Sequence, residues 1–165
     1  MYNIENIPGV LKEYFNYGSE LEEPFASLAL DLISNNQIYL DEANPTFEKA
    51  RGWVHISEVY PNYQLFQVAQ SIIKRDNTRK GLGAMLEPKD IIQGGFGDCY
   101  FLSAVAAIVQ DYPELVYRLF VLEKNPSHIY GVKLFIDGAW NTIPLDGCFP
   151  MNGYGAFCGA QPHHK

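Results

Sequence analysis

Residues 93–109, "QGGFGDCYFLSAVAAIV", constrain the fold of this chain more than any other stretch. Gly94, Gly95, Gly97 and Asp98 crowd in front of Cys99, and an almost unbroken apolar run follows it. A run that is apolar on every side suits a helix buried at the centre of a domain. The glycines permit backbone turns and close approaches that larger residues resist. A helix start stabilises a thiolate through its unpaired N–H groups and the helix dipole. Two readings of Cys99 follow. As a member of one of the most buried residue types it is inert packing; at the junction of a glycine loop and a helix it is a nucleophile. Gln93 favours the second, because its side-chain amide and the Cys99 N–H form a pair of donors suited to a developing oxyanion. Asp98 reads as a helix cap. Cys148 and Cys158 have no comparable setting and read as packing.

Around this segment the patterning predicts helices first and an antiparallel hairpin afterwards, an α+β fold. Phe25, Leu28, Ala29, Leu32 and Ile33 form one helical stripe, with Pro24 in the first turn and "SNN" at 34–36 as its end. The acidic "SELEE" at 19–23 reads as a solvated helix start. A short helix is expected over Tyr63 to Ile73, and "RDNTRKGLG" reads as a surface loop. Otherwise residues 44–93 look irregular. "YPELVYRLFV" predicts a helix with Leu115, Leu119 and Leu122 aligned. Asp137-Gly138, between "IYGVKLFID" and "AWNTIPL", is a strong hairpin signal.

The bulk properties exclude several classes. A net charge of −7 and a pI near 5.0 oppose the phosphate binding that basic surfaces provide, so no nucleic-acid partner is expected. No stretch approaches the roughly 20 apolar residues of a membrane span. The start, "MYNIENIPGVLKEYF", lacks the pattern of a secretory signal. With it, three cysteines read as reduced thiols in a cytoplasmic setting.

The segment "QGGFGDCYFLSAVAAI" closely resembles the catalytic-cysteine segment of the calpain family of papain-like proteases. Gln93, Gly94, Gly97, Asp98, Cys99, Phe101, Leu102 and Ala104 match its pattern, and Tyr100 stands where tryptophan is usual. Downstream, "YGVKLFIDGAWNTIPLDGCFP" is similar to the family's hairpin through Gly131, Gly138, Trp140, Asp146 and Pro150, with Leu145 replacing an aspartate. Trp53 and Glu58 resemble a weaker upstream element without its usual proline. The resemblance covers residues 41–165 as the first lobe of a catalytic core, and residues 1–40, outside it, read from their patterning as an accessory helical segment. It implies a mostly helical, papain-like lobe with a central buried helix and a small antiparallel hairpin. It also implies Cys99 as nucleophile, Gln93 as oxyanion donor and Asp90 as a calcium ligand, helped by backbone carbonyls in "GLGAML".

Thiol proteolysis also needs a histidine and a group to orient it. In papain-like enzymes that histidine follows the cysteine by about 130–150 residues, beyond Lys165. His55, His128, His163 and His164 do not occupy the family position. The expectation is therefore a calcium-dependent cysteine endopeptidase acting on protein substrates, represented by its nucleophile-bearing lobe. The second lobe would supply the base, and this lobe alone would be inactive. The competing reading is a non-catalytic scaffold or interaction module within a larger assembly; a papain-like acyl transfer is a third.

Overall fold

A computed structural model describes residues 7–9, 11–14, 22–43, 48–63, 86–122 and 124–161. In chain order its elements begin with a 3-10 turn, Lys12–Tyr14, followed by helix α1 (Glu23–Ser34), strand β1 (Gly52–His55) and the short helix α2 (Ile56–Val59). A second 3-10 turn, Pro88–Asp90, precedes helices α3 (Cys99–Asp111) and α4 (Pro113–Leu119). Strands β2 (Tyr130–Ile136), β3 (Ala139–Leu145) and β4 (Cys148–Met151) complete the set. Helices with small antiparallel sheets make this an α+β fold, as the patterning predicts. The elements form two compact units, each built from two chain segments: Met1–Ala43 with Arg118–Gly147, and Asn44–Tyr117 with Cys148–Lys165.

In the first unit, α1 starts with proline in its first turn and ends at Asn35, whose N–H returns to the Asp31 carbonyl at 3.0 Å. Asn36 then takes a left-handed φ of 56°, a conformation asparagine tolerates. The buried face is Phe25, Ala26, Ala29 and Ile33, while Leu28 is exposed. Phe25, Ala29 and Ile33 of the predicted stripe are thus buried and Leu32 packs against the same cluster, while Ala26 joins the face and Leu28 stays outside. This face joins Ile7, Leu11, Val121, Leu122 and Ile129 in one apolar cluster. Glu22 is not simply solvated, because its Oε2 accepts the Thr142 N–H of β3 at 3.0 Å. Residues 19–21 of the acidic run lie outside the described residues.

The hairpin forms as its turn chemistry requires. Ile136 pairs with Ala139 across a two-residue loop, and Asp137 and Gly138 have φ of 51° and 82°. Positive φ at both central positions is the demand of a type I′ turn, which Asp-Gly meets at low cost. At the other end Gly131 is required by space: a Cβ there would lie 2.3 Å from Val121 Cγ2 and 2.5 Å from Phe25 Cζ. Buried Asn125 organises the turn before β2, donating to the Ile129 carbonyl at 2.6 Å and accepting the Ser127 N–H at 3.1 Å.

In the second unit, β1 pairs antiparallel with β4, from Gly52 opposite Met151 to His55 opposite Cys148. The sequence reading has residues 44–93 irregular and one hairpin; β1 and this second sheet are additions. Its partner lies far along the chain, so no local turn announces it. The expected helix over residues 63–73 lies outside the described residues beyond Tyr63, as does "RDNTRKGLG".

Helix α3 begins at Cys99 as predicted, but it is not buried all round. Val109 is its buried residue, whereas Tyr100 is 78% and Phe101 50% exposed. An apolar surface creates a demand for cover without supplying it; among the described elements, the turn Pro88–Asp90 packs most closely against α3. Helix α4 also differs from its predicted face. Val116 and Tyr117 are buried, Leu115 is exposed, and buried Leu122 lies beyond the helix end.

Candidate active site

The residues expected to carry chemistry all belong to the second unit. Cys99 is the first residue of α3 and is exposed. The Asp98 carbonyl closes the first turn by accepting the Phe101 and Leu102 N–H groups, each at 3.0 Å. The N–H groups of Cys99 and Tyr100 precede the first residue able to close a helical turn, as at any helix start. Asp98 occupies the cap position without capping: its side chain makes no cap hydrogen bond, and its buried Oδ1 has no hydrogen-bond partner among the described residues. Its φ of −97° and ψ of 15° depart from the extended backbone typical of a capping residue.

Gln93 is exposed, and its Nε2 donates to the Phe96 carbonyl at 3.4 Å, folding the side chain over its own loop. An oxyanion role requires that long bond to be exchanged for one to substrate. Catalytic hydrogen bonds often tighten only in the complex.

The loop before Cys99 is held from outside. Gly95 N–H donates to the Cys158 carbonyl at 2.7 Å, and Gln161 N–H donates to the Ile92 carbonyl at 2.8 Å. Lys49 Nζ reaches the Gly95 carbonyl at 3.3 Å. Gly94 is needed for packing against protein, since a Cβ there would fall 1.6 Å from the Gly159 carbonyl oxygen. Nothing lies within 4 Å of a Cβ at Gly97. Sequence reasoning missed Lys49, Gly159 and Gln161. A single long-range hydrogen bond leaves no periodic mark, and the one signal was the glycine itself.

Asp90 sits in a reciprocal capping box, with Oδ2 accepting the Glu87 N–H at 2.9 Å. Glu87 in turn pairs with Lys89 at 2.5 Å, and that hydrogen bond and charge raise the lysine pKa above its usual value. Calcium takes six to eight oxygen ligands. Among the described residues, no three of His, Cys, Asp and Glu converge as a metal site. Residues 81–85 of "GLGAML" lie outside them.

Of the histidines, His55 ends β1 with Nδ1 accepting the Ser57 N–H at 3.2 Å and lying 2.6 Å from Ser57 Oγ. His128 belongs to the first unit and has a φ of 53°. His163 and His164 lie outside the described residues.

Over residues 36–164 the chain matches the calpain family of cysteine proteases, and it belongs to that family. It is 35% identical over 68 residues, 41% of its length, to the calpain-type cysteine protease DEK1 of Arabidopsis thaliana. Over 66 residues, 40% of its length, it is 35% identical to the calpain-type cysteine protease ADL1 of Oryza sativa subsp. japonica. Each match covers 3% of the relative's own length.

Proposed function

We propose that this chain is the nucleophile-bearing part of a papain-like cysteine endopeptidase that cleaves proteins. The observation that carries this reading is the placement of Cys99, exposed as the first residue of a 13-residue helix behind a tethered glycine loop. The Cys99 thiolate attacks a peptide carbonyl, and the Cys99 N–H and the Gln93 amide receive the oxyanion. The amine leaves with a proton from a histidine, and water then hydrolyses the thioester. That histidine and its asparagine partner are assigned to a second lobe. The proposal extends to calcium activation and a cytoplasmic setting, and no step above depends on either.

The test is casein cleavage by the full-length protein, with calcium or with chelator. Cleavage that disappears in Cys99→Ala is expected. Gln93→Ala should lower kcat about 100- to 1,000-fold with little change in KM. Cleavage that survives Cys99→Ala would refute the assignment. An interaction module within a larger assembly is the second reading, favoured by the exposed Tyr100, Phe101 and Ile108 of α3. It predicts that Cys99→Ala leaves the protein's cellular role intact.

A further inference from the structure

The Gln161 side chain has a task that no part of the proposed chemistry uses. Its Nε2 donates to two carbonyls, Phe157 at 2.7 Å and Gly159 at 2.9 Å. An amide NH2 has two hydrogens, so one group can satisfy both acceptors and draw residues 157–161 into a fixed turn. The turn is anchored on its far side, where Cys158 N–H donates to the Pro150 carbonyl at 2.8 Å and Phe157 bridges to Met151.

Its near side holds the loop that carries Gln93. The Gln161 N–H takes the Ile92 carbonyl, and the Cys158 carbonyl takes the Gly95 N–H. Gln93 is thereby bracketed by hydrogen bonds one residue before it and two residues after it. The Gly159 carbonyl, fixed by the Gln161 amide, is also the group against which Gly94 packs without room for a Cβ. From this geometry we infer that Gln161 is a positioning residue for Gln93, acting through the turn 157–161. The inference rests on the proposed oxyanion role of Gln93, and it adds a residue whose side-chain hydrogen bonds go to the Phe157 and Gly159 carbonyls.

Gln161→Glu keeps the shape of the side chain but presents a carboxylate to two carbonyls. Gln161→Ala removes the donor without adding charge and guards against misfolding caused by that charge. In the full-length enzyme both should lower kcat on the order of 10- to 100-fold with KM within about twofold, the scale of a small misplacement remote from the chemistry. The loss should vanish when either change is made on a Gln93→Ala background, because the two residues then act through one step. An equal loss on both backgrounds, or a loss confined to KM, would overturn the inference. Amide hydrogen exchange supplies a readout independent of catalysis. Protection at Gly95 and Gln161 should fall in the variants while protection in β2 and β3 stays unchanged. If the unaltered protein cleaves nothing, the peptidase reading fails; unchanged protection at Gly95 refutes the clamp itself.

Discussion

Gly94 and Gly159 approach so closely that a Cβ on Gly94 would lie 1.6 Å from the Gly159 carbonyl oxygen and 2.6 Å from its carbon. Both obstructing atoms are backbone, so no side-chain rotation relieves the clash. Gly94→Ala should therefore destabilise the protein by about 1–3 kcal/mol or more, the range for overpacking. Gly97→Ala should stay within about 0.5 kcal/mol, as for substitutions away from packed sites, since nothing lies within 4 Å of the added carbon. Urea midpoints of the two variants test the contrast. Equal destabilisation would mean that the loop does not lie against residues 158–159.

What was legible in the sequence followed from how local each cause was. The hairpin could be read because Asp137 and Gly138 themselves meet the demand for positive φ. The start of α3 could be read because the glycine loop and the apolar run meet at Cys99. Strand β1 could not, because its partners Cys148 to Met151 lie far along the chain. The buried face of α1 could be read from its apolar stripe except at its edge, where Ala26 carries little hydrophobic signal yet is buried and Leu28 is exposed. In the candidate site, Cys99 and Gln93 were visible as residues, whereas the bonds from Cys158 and Gln161 that hold their loop were not.

Phe25 makes residues upstream of the family match part of a folded core. It is 5% exposed, and its ring lies against the position that Gly131 keeps free of a Cβ. Phe25→Ala should cost about 3–5 kcal/mol in urea denaturation, the usual range for deleting a buried phenylalanine. Gly131→Ala should also destabilise, because its carbon would meet Val121 and Phe25 together. A cost below about 1 kcal/mol for Phe25→Ala would show that α1 is peripheral to the unit.

Tyr39 gives stability an alkaline limit. Its pKa is raised from 10.0, first by burial and then by the charges of Asp41 and Asp146. Above pH 10 the unfolded chain releases this proton while the folded chain retains it. The unfolded state then binds fewer protons, and stability falls as pH rises. Below the unfolded value the contribution is complete. Urea midpoints measured from about pH 8 to about pH 11 should decline, and Tyr39→Phe should reduce the decline. An unchanged slope in Tyr39→Phe would assign the limit to other groups.

The three thiols differ in access, which orders their reactivity. Cys99 is exposed at the start of α3, Cys148 is half-buried in β4, and Cys158 is 4% exposed. Cys158 is further held by its Sγ, which donates to the Lys49 carbonyl at 3.7 Å, and by backbone bonds to Pro150 and Gly95. A thiol enclosed in this way reacts only when its surroundings open, so its labelling reports local stability. Brief iodoacetamide treatment of the full-length protein followed by peptide mapping should modify Cys99 first, Cys148 more slowly and Cys158 only in denaturant. In Gln161→Ala, labelling of Cys158 should accelerate relative to Cys148, because the turn that encloses it has lost its clamp. Labelling of Cys158 as fast as Cys99 in the unaltered protein would mean that residues 157–161 do not stay closed over the loop. The support proposed for Gln93 would then be lost.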